Sequence, residues 1–461
     1  MVISRHYLTC GDVRVHYRLC GAGPPLLMLH QSPRSSSEYA AIMPIWGQHF
    51  TCIAPDIPGF GHSDPLGDPL PLDKPELEDF ADAIVAFCDA AGLPPLPAYG
   101  FHSGGIMLVT AMKRDPARFT ALAIGGYAVW DDADRTKIGD VYVPPNPPRP
   151  YGEHLLWLWN RVLEQSWYFP WYEPADETRL PGAHDDVARV DSIIQDLLNS
   201  GDHYAAGYAA VLRGKRDLPP PDAVTSPVRI TAYTGDPLKD HLARLGDLPT
   251  NWDAFAVDTP ADHHAASLEF LLQHRDGAAQ GKLPHQDADA GFLSVTTAEY
   301  QGLIHWRGPP GSRVLRIHAP AASAELIDDD AAICIDMPGH GDSDRWPGDA
   351  PLHWSAWQAV IDAVAGHFSV AVVHYDLVPV GDPDRLYPDL SPDRFGHYLT
   401  KAWAIVRAEA IYAPWYAACK DTAIPIDARL LSLDYLAKAH RARLRGNAAR
   451  AFHIASRERT D

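Results

Sequence analysis

The chain has 461 residues, 46% of them apolar and 21% charged, which is enough apolar material for two or three packed domains and too much for a disordered segment. With 39 basic against 59 acidic residues the formal charge is −20, so phosphate backbones and anionic membrane surfaces are excluded as expected partners. The six cysteines form no CxxC pair and no zinc-ligand spacing; they are expected to be free buried thiols of a reducing compartment.

MVISRHYLTCGDVRVHYRLCG alternates polar and apolar residues, a pattern of opening strands rather than of a signal peptide. No run reaches the ~18 apolar residues of a spanning helix, and a cytoplasmic location is expected. Pro24 to His30 is a short apolar run suited to a buried parallel strand, and Phe50 to Pro55 is a second, leading into APDIPGFGHSD (Ala54 to Asp64). Glu76 to Ala91 carries helical periodicity, and Leu96 to Thr110 reads as strand, turn and helix.

Within that last segment, Phe101-His102-Ser103-Gly104-Gly105 has the x-x-Ser-x-Gly spacing of a nucleophile elbow, with Phe101 where the first glycine usually stands. A serine on such a turn is pushed out of the sheet, and the Gly104 N–H faces a developing oxyanion. A second oxyanion donor is expected from the Ser32 or Gln31 N–H in His30-Gln31-Ser32-Pro33. In order and spacing HQSP, DIPGFGHSD and YGFHSGG resemble the HGxP, DxxGxGxS and GxSxG motifs of the α/β-hydrolase superfamily.

The resemblance implies an α/β fold with a mostly parallel sheet, helices on both faces and a helical cap. It also implies a triad in the order serine, acid, histidine. Asp236, after the strand in PVRITAYTGDPL, is the expected acid, with Asp240 nearby and Asp131 or Asp132 as an earlier placement. His263 is the expected base and His264 the alternate, in a loop within FAVDTPADHHAASLEFLL. His263 would take the Ser103 proton, Asp236 would orient the imidazole, and water would release the acyl-enzyme. No metal or other cofactor is implied.

Residues 131–222 read as an inserted cap in which Trp157, Trp159, Trp167, Tyr168 and Trp171 roof an apolar pocket. His30 and His102 are expected beside them, His102 as a packing neighbour of the nucleophile rather than a catalytic group, and Arg34 and Arg161 either meet a substrate carboxylate or stay solvated.

The second half repeats the first. CIAPDIPGFGHSD recurs as AICIDMPGHGDSD, placing Asp336 280 positions after Asp56, and His318 stands 288 positions after His30. Cap segments recur 244 positions on: Gly152 with Gly396, Trp159 with Trp403 and Trp171 with Trp415. The shrinking offset removes the region where an elbow belongs. Residues 1–281 are therefore expected to be a complete α/β-hydrolase domain, 282–292 a linker, and 293–461 a degenerate copy serving as an internal pseudo-dimer partner. The expected activity is cofactor-free hydrolysis of a small ester, thioester or lactone through Ser103. Carbon-carbon bond hydrolysis or biosynthetic acyl transfer or cyclisation is the alternative, and a non-catalytic binding or scaffold role the second.

Overall fold

The computed structural model describes residues 1–67, 74–132, 134, 138, 141–214, 218–275, 283 and 289–459. The chain forms two compact units, one of residues 1–147 and 160–285, the other of residues 148–159 and 286–461. The segment 148–159, expected in the first domain's cap, thus belongs to the second unit, where Trp159 packs edge-on against Tyr398 and His154 against Trp403. Of the expected linker 282–292, residues 282 and 284–288 lie outside the described residues, and Ala290 to Phe292 are already strand of the second unit.

In the first unit the polar-apolar alternation at the N-terminus becomes the antiparallel hairpin β1 (Ser4–Cys10) and β2 (Val13–Cys20). The apolar runs become β3 (Pro25–Leu29) and β4 (Thr51–Pro55), buried along their whole length. With β5 (Leu96–Phe101), β6 (Phe119–Gly125), β7 (Val228–Tyr233) and β8 (Trp252–Val257) they make one eight-stranded sheet of order 1-2-4-3-5-6-7-8. It is parallel from β4 to β8. Such a sheet holds ligands at its carboxyl edge.

The Asp56 loop ties the end of β4 to β2 and to the 3-10 turn at Ser36. The Asp56 carboxylate pairs with His16 Nδ1 (2.9 Å) and accepts the N–H groups of His62 (2.9 Å) and Ser36 (2.8 Å). Ser63 Oγ accepts the His16 N–H (2.9 Å) and donates to the Asp56 carbonyl (2.8 Å). Every polar group of this buried knot finds a partner, as a low-dielectric site demands.

The second unit holds β9 (Ala290–Thr296), β10 (Gln301–Arg307), β11 (Val314–Ile317), β12 (Ile333–Ile335) and β13 (Val372–Tyr375) in the order 9-10-12-11-13. Its Asp336 pairs with His305 Nδ1 (2.8 Å) and accepts the N–H groups of Asp342 (2.9 Å) and Ala324 (2.7 Å). Ser343 Oγ accepts the His305 N–H (2.8 Å) and donates to the Asp336 carbonyl (2.7 Å). His305, Asp336 and Asp342 gather ligand atoms within 4.8 Å, but the His305–Asp336 bond and an Asp342–Arg445 ion pair (2.8 Å) already satisfy them.

Cap contacts recur in the same register. Trp171 Nε1 donates to the Tyr142 carbonyl (3.1 Å) in the first unit, and Trp415 Nε1 to the Leu386 carbonyl (3.3 Å) in the second. Isolated strand bridges Tyr168–Arg179 and Tyr412–Ala423 flank them. Inside the second unit two tryptophans exchange equivalent bonds, Trp159 Nε1 to the Arg394 carbonyl (3.2 Å) and Trp403 Nε1 to the Pro150 carbonyl (3.1 Å).

The helical stretch expected over Tyr151 to Glu173 stops at Gln165. Ser166 Oγ turns back to the Leu163 carbonyl (2.6 Å) and also reaches the His184 carbonyl (2.7 Å), and Pro170 cannot continue a helix. Of the six free cysteines, Cys20, Cys52, Cys88 and Cys334 are buried, Cys10 is half-buried and Cys419 exposed. No helix among the described residues is long and apolar enough to cross a membrane.

Candidate active site

The turn between β5 and the helix Ser103–Arg114 is built by glycines. A Cβ on Gly100 would lie 2.6 Å from the Gly105 nitrogen, and one on Gly104 would lie 2.2 Å from the Leu29 carbonyl oxygen. Only glycine lets strand and helix approach so closely. Between them His102 takes φ 46° and ψ −112°, a backbone conformation costly for any residue with a side chain.

The strained tip is therefore His102, in the frame Gly100-Phe101-His102-Ser103-Gly104. The sequence reading put Ser103 at the tip and had to accept Phe101 in place of a glycine. Shifting the frame by one residue restores both glycines, and that was the available signal.

His102 projects over the sheet edge. Its Nε2 lies 3.0 and 3.1 Å from the two Asp236 carboxylate oxygens. The His102 side chain is 19% exposed and that of Asp236 is fully buried. Asp236 follows β7 and also accepts the Leu238 N–H at 2.8 Å. Burial pushes its carboxyl up, but the His102 charge, the His102 hydrogen bond and the Leu238 N–H outweigh this and hold it below the ordinary carboxylate range. Facing a carboxylate, Nε2 is the nitrogen that donates, and in the Nε2–H tautomer Nδ1 presents its lone pair. Phe101 stacks on the imidazole (centroids 4.1 Å apart), and Gly126 beneath leaves it room, since a Cβ there would meet His102 Cδ2 at 2.7 Å.

Ser103 is buried in the helix's first turn. Its Oγ accepts the Ser32 N–H (2.5 Å) and donates to Ser32 Oγ (3.0 Å). The expected Ser103–His263 contact is not formed. His263 is 1% exposed, its Nε2 is 2.8 Å from the Tyr99 hydroxyl and its Nδ1 2.6 Å from the Thr231 hydroxyl. Burial, with neighbouring His264 as a smaller cause, pushes its pKa down to about 3. The reason for its placement is local. Thr259 caps the helix Pro260–Gln273 in a capping box with Asp262, and Pro260 occupies the first turn, so the helix begins before the histidine and leaves it no preceding loop.

The other expected residues divide clearly. Asp240 is exposed and His264 half-buried, its ring 6.3 Å from Trp46. His30 is wholly buried, with Nδ1 against the Gln31 carbonyl (3.0 Å) and Nε2 accepting the Ile57 N–H (2.9 Å), so it ties loops and faces no ligand. The Gln31 N–H goes to Glu38 (3.0 Å) and the Ser32 N–H to Ser103 Oγ (2.5 Å). Gly104, in the helix's first turn, keeps a backbone N–H that no intrahelical carbonyl can accept, and so does Ser103 before it. Arg34 is held by Asp196 (2.8 Å) and Ser192 (3.0 Å). Arg161 is 2% exposed over the Trp171 ring, bonded to Gln165 through Nη1 (2.9 Å), while its Nε and Nη2 have no hydrogen-bond partner. Trp167 Nε1 donates to the His184 carbonyl (2.9 Å), and Trp159 belongs to the second unit.

Residues 24–163 match a family model described as the alpha/beta hydrolase fold. A soluble epoxide hydrolase of Corynebacterium sp. (strain C12) is 39% identical over 62 residues, which are 13% of this chain and 22% of that protein. Haloalkane dehalogenase 2 of Mycobacterium tuberculosis (strain ATCC 25618 / H37Rv) is 34% identical over 119 residues, 25% of this chain and 40% of that one. The chain thus spans well under half the length of these relatives. Among solved structures, the epoxide hydrolase CorEH is 16% identical, with a TM-score of 0.44, covering 59% of this chain and 100% of its own.

Proposed function

We propose, from the premise that the first unit has the α/β-hydrolase fold, that this chain hydrolyses a small carboxylic ester, thioester or lactone with His102 as general base. The observation that carries this reading is the strained turn that lifts His102 onto the sheet edge against buried Asp236. His102 Nδ1 takes a proton from water as the water oxygen bonds to the acyl carbon. Asp236 stabilises the imidazolium, and the N–H groups of Ser32 and of Ser103 or Gly104 receive the carbonyl oxyanion. On collapse the acyl–oxygen or acyl–sulfur bond breaks and His102 returns its proton to the leaving group. To accept the oxyanion, Ser32 must release Ser103 Oγ. The tip offers an imidazole rather than the carboxylate nucleophile used for epoxide opening and halide displacement.

A Ser103 acyl-enzyme is the competing reading, favoured by the Ser103 hydroxyl sitting on the Ser32 donor. Nitrophenyl ester turnover by His102→Gln, Asp236→Asn and Ser103→Ala, with fluorophosphonate labelling, separates the two. The general-base route expects His102→Gln to lose roughly 100-fold or more, Ser103→Ala to stay within about threefold, and no stoichiometric label. Loss of activity in Ser103→Ala with label on Ser103 would establish the serine route. An inert, unlabelled, folded protein would favour the binding or scaffold role.

The second half reads as a truncated copy of the first, retained as an internal partner. Support comes from the matching Asp56 and Asp336 knots, the matching Trp171 and Trp415 bonds, and the paired exchange of Trp159 and Trp403.

A further inference from the structure

Within the second unit a cavity of about 250 Å³ lies between the loop after β11, Ala319 to Ala322, and the cap elements around Val406, Trp415 and Ala439. That loop corresponds, by the spacing of His30 and His318, to the Gln31–Arg34 loop beside His102 in the first unit. The cavity therefore occupies the place of an active site, although no strand follows β13 among the described residues and no elbow closes the sheet.

Protein interiors close-pack, and a disused pocket would be expected to fill with side chains. Here small residues hold the walls apart: Ala319, Ala321, Ala322, Ala410, Ala413 and Ala439. Leu326, Leu386 and Trp415 make the lining apolar, and its volume falls just below the ~300–1,000 Å³ of drug-sized ligand sites.

Two charged residues reach the cavity, and they cancel. Arg443, 7% exposed, pairs through Nη2 with Glu409, reaches the Leu386 carbonyl through Nη1 (3.4 Å), and stands over the Tyr387 ring. An anionic ligand would compete with Glu409 and a cationic one with Arg443. The Tyr412 and Tyr435 side chains also line the cavity, and among the described residues the buried Arg443 Nε–H has no partner. A buried donor without an acceptor is penalised, and a ligand carbonyl would relieve it.

We propose that this cavity binds a small neutral organic molecule, largely hydrocarbon and carrying one carbonyl acceptor, so that the second unit is a ligand-binding module without catalytic groups. The test is photo-crosslinking of the full chain with an alkyl-diazirine methyl ketone, competed by 2-nonanone or nonanoate and mapped by peptide mass spectrometry. Saturable attachment to cavity residues is expected, competed at least about tenfold better by the ketone than by the carboxylate, and lost in Ala439→Leu, which fills the space. Should that variant fail to fold, Leu326→Trp serves the same end. Attachment that does not saturate, that falls only in the first unit, or that persists in the folded filled variant would overturn the proposal. Attachment in the second unit should be unchanged in His102→Gln, so the outcome is independent of the catalytic reading.

Discussion

At the scale of single residues, the candidate site turns on which of two neighbours occupies the tip. The serine drew attention because it is the commoner nucleophile, yet steric demand selects His102: the two glycines needed for close approach stand two positions on either side of it. The position of Asp236 was legible because it follows a strand directly, and the structure sets its carboxylate against His102. His263 was misplaced for an equally readable reason, since Thr259, Pro260 and Asp262 together spell a helix start. Arg161 was named as a possible carboxylate contact, and burial sharpens that expectation, because a buried guanidinium with no acid partner is costly. Arg161→Met should leave Tm unchanged or raised while erasing any preference for hemisuccinate over neutral acetate esters. A large fall in Tm, or an unchanged preference, would show that the guanidinium serves the cap fold instead.

At the scale of elements, strand positions followed hydrophobic runs closely, as in β3 and β4, because a fully buried parallel strand needs an unbroken apolar sequence. The cap was less legible. Its tryptophans are amphipathic and say nothing about which unit they join; only long-range bonds, such as Trp159 to Arg394, decide that. The same pairing gives a quantitative expectation. Gly152 and Gly396 both have positive φ, but an added Cβ would meet Trp403 at 3.0 Å in the first case and Trp159 at 2.4 Å in the second. Both substitutions to alanine should destabilise, Gly396→Ala by about 2–3 kcal/mol and Gly152→Ala by less. Urea unfolding of the two variants, side by side, reads the order directly.

At the scale of the whole molecule, buried histidines in both units give the protein a pronounced sensitivity to acid. Burial pushes His263, His340 and His440 down to about 3, and His16, despite Asp56, to about 4. As pH falls below the ordinary ~6.5 the unfolded chain takes up protons that the folded chain refuses. The stabilisation is fully present above that value and is lost progressively toward pH 3 to 4, each such histidine contributing at most about 1.4 kcal/mol per pH unit. The urea midpoint should therefore be clearly lower at pH 5 than at pH 7, and His263→Gln should flatten the slope. A midpoint independent of pH would contradict the burial of these rings.

The pairing of Trp159 with Arg394 also sets a timetable for synthesis. Its partners are 235 residues apart, and at ~5–20 residues per second a ribosome needs roughly 12–47 s to deliver the second after the first. For that interval a large aromatic side chain waits without its packing surface, and in its later part, once Val257 has been made, all eight strands of the first sheet have been synthesised. The nascent chain is thus most exposed to misassociation and to chaperone capture in the second half of translation, with its first sheet made and this aromatic segment still unclaimed.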